Sequence, residues 1–217
     1  MWRTLRPVDH IYAVRWMSSS RDRVKAQAEE IMKREFRDLY DAKYAKKRAT
    51  VSGLIAKEHS IVFPRIKTTS LSTKRIVIQD EAKKARATLL ELSFRMSGAN
   101  QNKQWIDMCE KSLRELKVQS LYLTVNETFL YRALSGFIQS TQRRKIPLRD
   151  HDSYIVFNSP GDEILKLTQN SNRLVGYLLL LDREARVRWY GYGAPDESSV
   201  HSLQEAANAV VEESKNF

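Results

Sequence analysis

A single cysteine, Cys109, stands in a chain of 217 residues, which excludes an internal disulfide and any cysteine-based zinc finger and suits a reducing compartment. Glycine and proline number only 7 and 5, and no segment is of low complexity, so most of the chain reads as folded. No run approaches the roughly 18 to 20 apolar residues that a membrane-spanning helix requires; the densest stretch is Leu174 to Leu181. The protein is expected to be soluble or peripheral to a membrane. His10, His59, His151 and His201 stand singly, without the spacing of a zinc ligand set or a metalloprotease helix. Gly191-Tyr192-Gly193 follows an expected strand but lacks the third glycine of a dinucleotide-binding loop. No catalytic centre, metal or other cofactor is therefore expected.

What is present is charge and enough apolar material for a core. Apolar residues make up 42% and charged ones 29%, and 37 basic against 26 acidic residues leave a net +11. Such a balance favours polyanions, anionic lipid surfaces or an acidic partner. The length fits one globular domain with an extension.

Residues 1–20 read as a mitochondrial presequence. Arg3, Arg6 and Arg15 face a single acid, Asp9, with Trp2, Leu5, Ile11, Tyr12, Val14 and Trp16 between them and serines at the end. A disordered basic N-terminus is the alternative for the same residues. Residues 21–62 read as a long amphipathic helix and a linker. From Arg21 to Arg48 there is no glycine or proline, and Val24, Ala28, Ile31, Met32, Phe36, Leu39, Tyr40 and Tyr44 recur at three- and four-residue steps. The stripe either packs on its own domain or serves a partner or membrane surface. A polar link containing Gly53 follows.

The globular domain is expected over residues 63–217. Phe63 to Asp80 reads as irregular chain ending in a short edge strand, Arg75 to Gln79. Thr88 to Phe94 alternates as a strand, and Gln101 to Lys117 carries Trp105, Ile106, Cys109, Leu113 and Leu116 at helical spacing. Leu121, Leu123 and Val125 form the next strand, and Leu130, Ala133, Leu134, Phe137 and Ile138 the next helix, a βαβα order that builds parallel pairing. Gln142 to Arg149 reads as a basic loop, Tyr154 to Phe157 as a strand and Asp162 to Leu167 as a short helix. Leu174 to Leu181 and Ala185 to Tyr190 are separated by too few residues for a crossover and are expected to pair as an antiparallel hairpin. A last helix opens at Pro195 and places Val200, Leu203, Ala207 and Val210 on one face. A βαβ half followed by a ββα half is the thioredoxin-like α/β order, a mixed sheet with flanking helices.

An oxidoreductase on that scaffold needs a low-pKa cysteine at the N-terminus of the helix after the first core strand. Here the residues are Arg95-Met96-Ser97-Gly98-Ala99-Asn100-Gln101, and no proline precedes the hairpin at Asn172-Arg173-Leu174. Disulfide chemistry is excluded. Cys109 lies about two turns into the helix on its apolar side, where burial raises a thiol pKa and makes it inert.

Three stretches share a further likeness. They are Phe63-Pro64 before a Leu71-bearing edge, Leu89 to Phe94 running into a helix start with glutamine and tryptophan, and Asn172 to Gly193. Within the last, Gly176-Tyr177-Leu178-Leu179-Leu180-Leu181-Asp182 and Arg186-Val187-Arg188-Trp189-Tyr190-Gly191-Tyr192-Gly193-Ala194 precede a Leu203-bearing helix. Together these resemble the mitochondrial ATP synthase assembly factor ten family over roughly Phe63 to Val211, with Ala185 standing where family hairpins usually carry a turn glycine. The resemblance implies a non-enzymatic chaperone on the matrix side of the mitochondrial inner membrane. It would bind newly made ATP synthase subunit a and promote its joining to the subunit c ring. The residues the resemblance offers for partner contact are Asn172, Gly176, Tyr177, Asp182, Arg188, Trp189, Tyr190, Gly191 and Gly193. Alternation along the second hairpin strand turns Trp189 to the core and Arg188 and Tyr190 to solvent.

Two rivals stand beside this. One is a mitochondrial RNA- or ribosome-associated protein using Lys43, Lys46, Lys47 and Arg48 together with Arg143, Arg144, Lys145 and Arg149, whose binding would weaken steeply with salt. The other is a thiol peroxidase using Cys109.

Overall fold

Two strands carry no polar face, and they set the architecture. In the computed structural model, which describes residues 49–127 and 135–216, Ala87–Ser93 (β4) and Tyr177–Asp182 (β7) are buried along their whole length. A strand buried on both faces belongs at the centre of a sheet. Here β4 pairs antiparallel with β7 and parallel with Gln119–Val125 (β5). The expected presequence and the expected helix over residues 21–48 lie outside the described residues.

Thr50–Val51 (β1), Lys67–Ser70 (β2), Arg75–Val77 (β3), Tyr154–Phe157 (β6) and Val187–Tyr192 (β8) complete an eight-stranded mixed sheet in the order β1-β8-β7-β4-β5-β6-β2-β3. β4 and β5 are parallel and joined through the helix Met96–Glu115 (α2). β7 and β8 form an antiparallel hairpin, followed by Glu197–Glu213 (α5). The order β5-β4-β7-β8 with these connections makes the domain thioredoxin-like. Shorter helices are Ile78–Ala82 (α1), Ser135–Lys145 (α3) and Asp162–Leu165 (α4).

Each face of the sheet has its own apolar cluster. α2 buries Gly98, Asn102, Trp105, Cys109 and Leu113, at steps of three and four that form one helical stripe. That stripe meets Leu89, Leu178, Leu180 and Trp189 from the sheet and Val200, Leu203, Ala207 and Val210 from α5. Trp105 and Trp189 pack edge to face, centroids 5.9 Å apart, an arrangement worth about 0.5–1.5 kcal/mol beyond the area buried. A capping box starts α5: Ser199 N–H donates to Asp196 and Asp196 N–H to the Ser199 hydroxyl, 2.8 and 2.9 Å. The opposite cluster gathers Phe63, Ile78, Leu90, Leu92, Leu121, Leu123, Ile155, Tyr177, Leu179 and Leu181.

Local departures from the sequence reading have physical causes. The stretch read as a polar link is a sheet element: β1 pairs with β8, Ile55 N–H donates to Arg188 O at 2.7 Å, and Val187 N–H donates to Ile61 O at 2.8 Å. These contacts cover an edge that would otherwise present unpaired backbone groups. β2 lies in chain read as irregular; Lys-Thr-Thr-Ser has no apolar alternation, and pairing with β3 and β6 holds it instead. The edge strand read to Gln79 stops at Val77, where α1 begins. The expected basic loop is the end of α3 and a single helical turn, Leu148–Asp150. At the hairpin turn Ala185 takes a left-handed φ of 58°, a conformation that costs a non-glycine residue about 1–2 kcal/mol. Asp182 Oδ1 offsets this by accepting from Glu184 and Arg186 N–H at 2.9 and 3.0 Å.

Candidate functional site

In thioredoxin-like folds, chemistry gathers where the first core helix begins and the chain enters the hairpin. Here that place is closed by the protein's own groups. The Ser97 hydroxyl donates to Leu174 O at 2.7 Å, and Gly176 N–H donates to the Gln101 side-chain oxygen at 2.8 Å. Asn172 stands in the adjoining turn, accepting from Leu174 N–H at 2.8 Å through its side chain and from the Tyr177 hydroxyl at 2.7 Å through its carbonyl. Gly193 N–H donates to Gly176 O at 3.1 Å, and Gly193 O accepts from Trp105 Nε1 at 2.8 Å.

This approach depends on two glycines meeting back to back. A Cβ on Gly98 would lie 2.6 Å from Val175 O; one on Gly176 would lie 2.1 Å from Asn102 Oδ1 and 2.3 Å from Gly98 O. Any larger residue would force the helix start and the β7 entry apart. Gly98, Gln101 and Asn102 were not singled out by sequence reasoning, because only the fold brings them against Gly176. No cysteine lies here. Cys109 is buried, its thiol donates to Trp105 O at 3.0 Å, and burial, reinforced by the charge of Glu91, pushes its pKa up to about 12. A thiol held there stays protonated at neutral pH and is a poor nucleophile.

Among the nine hairpin residues considered for partner contact, Asn172, Gly176, Tyr177, Asp182, Arg188, Trp189, Gly191 and Gly193 are buried, and Tyr190 is half-buried. Arg188 departs most from the solvent-facing position read from alternation. A bulge between Leu180 and Leu181 sets Leu180 opposite Trp189 and Leu181 opposite Val187, leaving Arg188 as the extra residue. Such an insertion re-aims its side chain. Val187 and Trp189 consequently pack on opposite faces, and Arg188 turns to the end of α5. It donates to Glu213 through both terminal nitrogens, at 2.6 and 3.0 Å, and to Ile55 O at 2.8 Å, with Asp182 at 3.6 Å. The hydrogen bond from Arg188 holds the Glu213 carboxyl below its ordinary range. Arg188 thus joins β8, α5 and the edge segment. A second buried arginine, Arg173, donates to Glu127 and Asp162 at 2.6 and 2.5 Å beside the Phe94 ring.

The arrangement holds two chain segments together and carries no cysteine at the place where redox members of the fold keep one. The profile of the family described as ATP10 protein matches residues 14–210. The chain belongs to that family. Membership ties this ATP10-family chain to ATP synthase assembly and to a mitochondrial role. A search of curated proteins finds no match. Among solved structures, a secreted thiol-disulfide isomerase from Corynebacterium glutamicum is 12% identical, with a TM-score of 0.47 over 76% of this chain and 93% of that one. BsSco, of the Sco family of cytochrome c oxidase assembly proteins, is 10% identical, with a TM-score of 0.47 over 70% and 95%. A SCO1/SenC family lipoprotein from Bacillus anthracis is 11% identical, with a TM-score of 0.46 over 71% and 99%. The strand order and connections, not these likenesses, define the fold of the ATP10-family domain. Among the described residues no helix is long and apolar enough to cross a membrane.

Proposed function

We propose that this chain is a non-catalytic assembly factor for the proton-translocating membrane sector of mitochondrial ATP synthase. It acts as a chaperone on the matrix side of the inner membrane, associates with that membrane peripherally, and binds newly made subunit a until it joins the subunit c ring. The family match over residues 14–210 carries this reading. The start of α2, which carries no cysteine and is tied to the β7 entry by the protein's own hydrogen bonds, supports a binding module over an enzyme. In this reading residues 1–20 are a presequence and residues 21–62 a long amphipathic helix and linker, whose Thr50–Val51 forms the sheet edge.

The nine hairpin residues then divide by role. The eight buried ones build the scaffold. Tyr190 lies on β8 beside the covering segment, whose Leu54, Ile61 and Val62 are exposed, and exposed apolar side chains of this kind suit a hydrophobic membrane subunit. The test is photo-crosslinking in intact mitochondria with a photoreactive amino acid at position 61, during pulse labelling of newly made membrane subunits. A crosslink to new subunit a that fades as assembled enzyme accumulates is the expected result. Crosslinking to ribosomal RNA or ribosomal proteins alone, lost at raised salt, would favour the ribosome-associated reading and overturn this one.

A further inference from the structure

One carboxyl points into the protein with one of its oxygens unmatched. Glu91 sits in the middle of β4, among Leu89, Leu90 and Leu92, and is 4% exposed. Its register neighbour on β5 is Tyr122, whose neighbour on β6 is Tyr154, so the three form one cross-strand row on the face that α2 covers. The two tyrosine rings stack with centroids 4.2 Å apart. Between this row and α2 lies a cavity of about 380 Å³, many times the about 30 Å³ that one water occupies. Glu91 Oε1 is buried there without a hydrogen-bond partner.

The chemistry of the lining selects the ligand. The cavity's lysine, Lys103, is held by Asp107 at 2.6 Å, and Glu110 is engaged by Arg114, so the charges of α2 that line the cavity are paired on α2 itself and none of them is a counter-charge for Glu91. An anion would meet three carboxyl groups, those of Glu91, Asp107 and Glu110. A metal ion needs several ligands at once, and among the described residues no group of three His, Cys, Asp or Glu could hold one. A nitrogen cation needs one carboxylate and tolerates aromatic walls, whose faces attract it. We infer that this cavity is a binding site for a single ammonium or guanidinium group, carried either by a lysine or arginine side chain of a partner chain or by a free amine. The inference stands apart from the assembly reading, since it rests on the cavity and its carboxyl.

Burial holds the Glu91 carboxyl well above the usual range. The groups facing it are Lys103, Asp107, Cys109 and Glu110 on α2, Tyr122 on β5 and Tyr154 on β6, and none of these supplies an unpaired positive charge. A cation bound beside Glu91 favours its ionised form, so binding releases a proton wherever this carboxyl is protonated.

The probe is n-butylammonium chloride, titrated into the full chain with sodium chloride at equal ionic strength and n-butanol as controls, following the ring NMR signals of Tyr122 and Tyr154. The expected result is a saturable shift with the ammonium alone, weakened tenfold or more in Glu91→Gln. Proton release should appear as a difference in binding heat between two buffers of unlike ionisation enthalpy. Equal shifts with n-butanol, unchanged affinity in Glu91→Gln, or no saturation overturns the site. Should Glu91→Gln fail to fold, the wild-type titrations decide, and a shift that n-butanol or sodium chloride reproduces counts against the site. Acetyl-Gly-Lys-Gly-amide binding at least as tightly as n-butylammonium assigns the site to a partner side chain; a much weaker peptide assigns it to a free amine.

Discussion

Replacing Arg188 by methionine tests whether this residue builds the fold or meets a partner. Its side chain is 3% exposed, whereas its partners differ: Glu213 is 46% exposed and Asp182 11%. Removing one member of a buried ion pair costs about 3–5 kcal/mol when the other is stranded away from water. Glu213 can rehydrate, so its share is small and screened. The stranded groups are Asp182 and the Ile55 carbonyl, which accepts at 2.8 Å; a buried acceptor left unmatched costs about 1–3 kcal/mol. Methionine keeps most of the volume, so cavity terms stay small. The expected loss is about 2–3 kcal/mol, a fall in Tm of about 4–12 °C for a domain of this size. Glu213→Gln leaves the buried Arg188 with Asp182, the Ile55 carbonyl and one amide acceptor, and should cost about 1–3 kcal/mol. Urea unfolding followed by tryptophan fluorescence measures both. A loss below about 0.5 kcal/mol for Arg188→Met, the level of an ordinary surface substitution, would refute the structural role, and reduced capture of subunit a by a fully stable variant would identify a contact residue instead.

Gly176→Ala should destabilise the domain by about 1–3 kcal/mol, since its methyl would fall on Asn102 Oδ1 and Gly98 O. A neutral effect on the urea midpoint would show that the helix start and the β7 entry can move apart freely. Glu91 binds its proton more tightly in the folded chain than in the unfolded one. Its contribution is complete below the unfolded carboxyl value of about 4.3 and declines as pH rises from there through the raised folded value. Glu91→Gln should remove that slope from the stability–pH curve, and an identical slope in the variant contradicts the assignment. Cys109 should resist iodoacetamide at pH 8 in the folded protein and react on unfolding, because burial holds its thiol pKa at about 12; rapid modification of native protein would sink this.

The place of β7 at the sheet centre was legible because Leu178 to Leu181 is too apolar for any half-exposed position, whereas β4 reads as an alternating strand; the short link after Leu181 permits nothing but a hairpin. α2 and α5 announced themselves by three- and four-residue steps. β2 did not, because its strand character comes from neighbours on both sides and not from its own side chains. Arg188 was misplaced because alternation assumes an unbroken pleat, and a bulge is invisible in a sequence that reads evenly through it. The Gly98–Gly176 contact spans 78 positions in the chain and becomes apparent once α2 and β7 are set side by side. Glu91 left a signal that was passed over: one acid in a run of leucines, at a position a central strand buries.

The central claim, a binding role in building the membrane sector of ATP synthase, is tested most directly by depleting the protein and separating mitochondrial complexes on native gels. The account predicts less assembled ATP synthase, accumulation of the free catalytic sector, and recovery on expressing either the wild-type chain or Cys109→Ser. Assembled enzyme at normal levels after depletion, or recovery that requires the Cys109 thiol, would contradict it.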